Sequence, residues 1–63
     1  MESKEYKQGW RFIVWLDGVD DYYKNFVIAQ MDYHNWIAKG YDNVVMTEIN
    51  KDGTEKVLMK SNE

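Results

Sequence analysis

The sequence predicts an α+β fold: a small antiparallel β-sheet with one short helix packed on it, in the order β-β-α-β-β. Three observations carry this. Two runs rich in β-branched and aromatic residues flank an Asp-Gly turn in the first half of the chain. A short apolar stripe at helical spacing lies between Asp32 and Gly40. Two further β-rich runs are joined by Asn50-Lys51-Asp52-Gly53, a hairpin signal.

Residues 1–8 are polar and are expected to be a frayed lead-in. Trp10 to Leu16, W-R-F-I-V-W-L, is too short and too stiff for a good helix and reads as a strand. Trp10, Phe12, Val14 and Leu16 share one face, and Arg11, Ile13 and Trp15 the other. Asp17 to Asp21 reads as a turn, because Asp-Gly supplies positive φ and three acids keep it solvated. Tyr22 to Gln30 alternates as the second strand of a hairpin. Asp32 is the expected N-cap of the helix, with Met31 and Trp36 at the spacing of a hydrophobic staple. Tyr33, Trp36 and Ile37 form its stripe, Lys39 suits its C-terminal end, and Gly40 follows that end. A helix of about two turns depends on packing rather than propensity. Val44 to Asn50 and Thr54 to Lys60 complete the sheet, the lysines of the last strand suiting an edge. Residues 61–63 read as a tail, and 1–63 as a single domain.

At 63 residues such a domain has a thin core, and small domains lean on disulfides, metals or oligomerisation. The chain has no cysteine and one histidine, His34, which removes disulfides and zinc cages built from these residues. Three Trp, five Tyr and two Phe are more aromatic surface than one small core covers. A homodimer with aromatics at its interface is the expectation. The net charge of −3 and the dispersed lysines argue against direct nucleic-acid binding and favour a basic protein partner. No apolar run approaches the roughly 20 residues of a membrane span, and the polar N-terminus is no secretory signal, so a cytoplasmic protein is expected.

No residues assemble into recognisable catalysis. His34 has no nucleophile beside it in sequence, and Ser3 and Ser61 fall in the expected tails. Asp17, Asp20 and Asp21 lack the remainder of a calcium loop, and no phosphate-cradling glycine motif occurs. The expectation is a protein that is not an enzyme, with no cofactor and no metal. The alternative is a single-stranded nucleic-acid-binding module, built on strand aromatics near Arg11 and Lys24, or a regulatory interaction module using the same sheet aromatics.

The turn D-G-V-D-D followed by Y-Y-K, the segment M-D-Y-H-N-W and the terminal strand ending K-V-L together span about residues 12–58. In order and residue type this layout resembles the small Bacillus-phage inhibitors of uracil-DNA glycosylase. The resemblance implies a dimer whose paired helices build an apolar pocket. That pocket captures the side chain which the glycosylase inserts into DNA, while surrounding acids imitate phosphates. Carried over by position, Tyr33 corresponds to the pocket aromatic after Asp32, with Trp36 as a second wall. The partner-binding set is then Asp32, Tyr33, His34, Trp36 and Ile37, with Asp20 and Asp21 as acids of the loop. The sequence departs from the family at His34, where the family has Glu, and in its fourth strand.

Overall fold

The computed structural model describes residues 2–61. A helical turn, α1 (Lys4–Lys7), precedes strands β1 (Phe12–Leu16) and β2 (Val19–Tyr23). Helix α2 (Phe26–Ala38) follows, and β3 (Val44–Ile49) and β4 (Glu55–Lys60) close the chain. The four strands form one antiparallel sheet in the order β2-β1-β3-β4, so the β-β-α-β-β arrangement stands.

Element boundaries differ from those expected, each for a local reason. The first hairpin turns on two residues only, Asp17 (φ 44°) and Gly18 (φ 79°), both in the positive-φ region that a tight hairpin loop requires. β2 therefore starts at Val19, opposite Leu16, and Asp20 and Asp21 belong to the strand rather than to a solvated turn. It also ends early, at Tyr23. The segment expected as the rest of that strand is helical. Asn25, in extended conformation, caps it by accepting from the backbone N–H groups of Val27 (2.8 Å) and Ile28 (3.4 Å). Asp32 is thus a mid-helix residue and not the cap, and no staple links exposed Met31 to Trp36 across a helix start. The helix runs 13 residues, not two turns.

The C-terminal end follows expectation. Gly40 sits at φ 102°, its N–H donates to Ile37, and the N–H of Tyr41 donates to Trp36. This is a Schellman motif, completed by the edge-to-face contact of Trp36 and Tyr41 at 5.3 Å.

Strand register sorts side chains onto two faces. Val14 lies beside Met46, and Leu16 beside Val44; these four pack with Ala29 and Tyr33 of α2 into the core. Phe12, Tyr23, Trp36, Leu58 and Met59 seal its margin. A register irregularity between Met46 and Thr47 bends the β3–β4 pair. On the far face lie Ile13, Trp15, Thr47 and Ile49. Here the lead-in is not frayed: Ser3 caps α1, its N–H donates to Lys51 of the β3–β4 turn, and Arg11 stacks 3.6 Å over the Tyr6 ring. Ser61 also holds the sheet, exchanging hydrogen bonds with Val44, whereas expectations for Met1 and residues 62–63 lie outside the described residues. Among the described residues no helix is long and apolar enough to cross a membrane.

Candidate functional site

Helix α2 carries one carboxylate, Asp32, no Lys or Arg, and apolar side chains on both its buried and its exposed sides. Its inner face is fastened to the sheet. Ala29 and Tyr33 are buried, the latter 4% exposed. The Asp32 carboxylate accepts from the indole N–H of Trp36 at 3.0 Å and from the phenol of Tyr23 on β2. Burial first, then that hydrogen bond and the charges of Asp32 and Asp21, push the Tyr23 phenol well above its ordinary value of 10.0. Tyr23 thus stays a neutral donor, and Asp32 ties helix to strand.

The outer face has no such cover. Val27, Ile28 and Met31 are 59, 55 and 60% exposed, with His34 and Ala38 continuing the line toward the C-terminus. Val27, Met31, His34 and Ala38 recur at intervals of 4, 3 and 4, the spacing of one helix seam. An amphipathic surface helix turns its polar stripe to water, whereas this one presents an apolar stripe interrupted by a single imidazole. With Phe26, which is 43% exposed and meets Phe12 edge to face at 5.5 Å, the patch covers on the order of 400 Å². Contiguous exposure on that scale marks interaction surfaces more often than an isolated apolar residue does.

The sequence-derived site residues divide between these surfaces. Tyr33 belongs to the core, so its ring does not line an external pocket. Trp36 is half-buried between Asp32, Tyr41 and the Lys39 ammonium, which stands 4.6 Å from its ring. Ile37 is 36% exposed at the helix margin, and His34 lies outside, edge-on to Tyr33 at 5.3 Å. Asp20 and Asp21 are consecutive strand residues and point to opposite faces. Asp21 shares the helix side with Tyr23, while Asp20 sits beside Tyr22 on the far face. They do not join one acidic rim. Val27, Ile28 and Met31 were absent from the expected set. The signal that finds them is Asn25 as cap, after which Phe26, Ala29, Tyr33, Trp36 and Ile37 fall on one side of a helical wheel.

The strand aromatics do not form one platform either. Phe12 faces α2, whereas Trp15 lies on the far face, its indole N–H donating to Glu55 at 3.0 Å. Near α1, an open groove of about 330 Å³ is lined by Lys4, Glu5, Gln8, Trp10 and Tyr22. The Lys24 ammonium stands 4.9 Å from the Trp10 ring, while Asp20, Glu5 and Glu55 surround the Tyr22 phenol and help raise its pKa, after burial. Cations and carboxylates are mixed there, without the consistently basic track that a phosphate backbone follows. Among the described residues no three His, Asp or Glu side chains are grouped to hold a metal. No family model, curated protein or solved structure matches this chain.

Proposed function

We propose that this chain is a non-catalytic protein-binding domain that assembles as a homodimer through the outer face of α2 and acts by stoichiometric binding. The observation that carries this reading is the uncovered stripe of Val27, Ile28 and Met31 on a helix whose other face already fills the core. The charge pattern discriminates among occupants. Nucleic acid and anionic lipid both demand Lys or Arg at the contact, and α2 has neither between residues 26 and 38. An apolar protein surface makes no such demand. The net charge of −3 suits a partner with a basic groove, which agrees with the resemblance to phage inhibitors of uracil-DNA glycosylase and makes that enzyme the first target to try.

A uracil-excision assay with bacterial glycosylase tests the target. Inhibition that saturates at a fixed molar ratio and survives excess substrate is the expected result. Met31→Glu, which places a charge in the exposed stripe, is expected to abolish it while leaving the domain folded. No inhibition at micromolar excess removes the glycosylase as target.

A further inference from the structure

We infer that α1 is a hinged strap: it opens about Gly9 as one unit while the sheet and α2 stay folded, and its opening uncovers Ile13 and Ile49. The two isoleucines lie on the far face of the sheet, 3 and 4% exposed, and neither belongs to the core that α2 closes on the other face. Glu5 of α1 and Gly53 of the β3–β4 turn share with them the wall of a small cavity of about 40 Å³. No side chain of α1 is itself buried. The strap therefore hides apolar surface without packing into it, and the space beneath it forfeits dispersion contacts that a tight joint would make.

The hinge lies between α1 and Arg11. Arg11 already belongs to the sheet, since its N–H donates to Tyr23 at 3.0 Å and its carbonyl accepts from Ile49 at 2.7 Å. Two residues earlier, Gly9 stands at φ 96°, where a side chain would be strained. Beyond that glycine the strap is tied back at its two ends. The Ser3 N–H donates to Lys51 at 2.9 Å. Arg11 supplies the clasp: its guanidinium lies 3.6 Å over the Tyr6 ring, and its Nη1 donates to the Tyr6 carbonyl at 2.9 Å.

Ties of this kind are weak enough to release without global unfolding. A four-residue helix has no stability alone, so release melts it. The N–H groups of Lys7, Gln8, Gly9 and Trp10, bonded within the strap, are then freed together with that of Ser3. Burial of Ile13 and Ile49 favours closure and keeps the open form a minority. The far face is thus an apolar surface gated by Arg11 and Tyr6, not a permanently closed second core.

Native-state hydrogen exchange of the full chain in low urea, beside Asn25→Ala, Arg11→Gln and Tyr6→Ala, tests this. In the wild type the strap N–H groups should exchange about 10-fold or more faster than those of β1 and β3, and with little dependence on urea. Asn25→Ala, which weakens the domain through the α2 cap, should quicken β1 and β3 about 5-fold and leave the strap as in the wild type. Arg11→Gln should quicken the strap about 10- to 100-fold, and Tyr6→Ala about 2- to 5-fold. In Arg11→Gln the Ile13 and Ile49 methyls should also gain access to a soluble paramagnetic probe, while those of Val14 and Val44 stay shielded. A strap quickened by Asn25→Ala as much as β1 and β3 opens only with the whole domain, which overturns the hinge. Strap N–H groups indifferent to Arg11→Gln overturn the clasp, and exchange at the rate of an unfolded peptide in the wild type overturns the closed form. Ile13 and Ile49 remaining as shielded as Val14 in Arg11→Gln overturns the cover.

Discussion

The two faces of α2 have nearly the same chemical character and opposite surroundings. Ala29, Tyr33 and Trp36 meet the sheet, and a carboxylate on the same side collects the polar hydrogens of Trp36 and Tyr23. Val27, Ile28 and Met31 are equally apolar and more than half exposed. Hydrophobicity therefore does not say which side of this helix is core. That choice is made by size and by polar fastening: the small Ala29 admits close approach to the strands, and Asp32 meets the Tyr23 phenol of β2 on that side. The apolar side left over faces solvent.

Substitutions at the two faces should break this comparison unequally. Tyr33→Ala has the largest expected effect, about 3–5 kcal/mol lost, by analogy with other large-to-small aromatic truncations in cores. In so thin a core that approaches the whole stability, and urea titration followed by circular dichroism should show no cooperative transition at 25 °C. Asp32→Asn keeps the shape but removes the charge from two hydrogen bonds. A loss of about 1.5–3 kcal/mol is expected from the same titration.

Tyr23 offers a pH-resolved version of the same test. Its phenol is raised in the folded chain above the 10.0 of an exposed tyrosine, so the folded state holds its proton where the unfolded state has released it. That contribution to stability is complete below about pH 10 and is lost as the pH climbs above it toward the folded value. Denaturation midpoints should fall above pH 10, and Tyr23→Phe should flatten most of that fall, leaving the smaller part due to Tyr22. A fall unchanged by Tyr23→Phe would place the alkaline sensitivity elsewhere.

Smaller effects sharpen the picture. Asn25→Ala removes the cap that starts the helix and should cost about 1 kcal/mol. Met31→Gln, on the outer face, should leave the stability of the monomer within about 0.5 kcal/mol while weakening its self-association. A large loss in the monomer would mean that the outer face is not free.

Fold class was legible in the sequence because the order of strong elements survives errors at their ends. The turn glycines, Gly18 and Gly53, and the helix-ending Gly40 all adopt positive φ, and each was readable as punctuation. The start of α2 was not. Tyr22 to Gln30 alternates well enough for a strand, and Val27 and Ile28 add β-branched character. A helix apolar on both sides also hides its own period, since the contrast that defines an amphipathic stripe is missing. The same property hid the candidate site. Tyr33 and Trp36 stood out as large aromatics and proved to be core and margin, whereas Val27 and Ile28 looked like ordinary strand residues and Met31 like the staple ahead of a helix start. The lead-in was misjudged for a different reason: Ser3 and Arg11 hold it through tertiary contacts that local polarity does not report.

The most direct test of the central claim, that the outer face of α2 is covered by protein in solution, is paramagnetic solvent mapping of methyl groups by NMR across a dilution series. Val19 and Val57, 54 and 53% exposed on other surfaces, serve as internal controls. The account predicts that Val27, Ile28 and Met31 methyls become protected from the probe as concentration rises at pH 8, while Val19 and Val57 stay accessible. Val27, Ile28 and Met31 remaining as accessible as the controls at every concentration would contradict it.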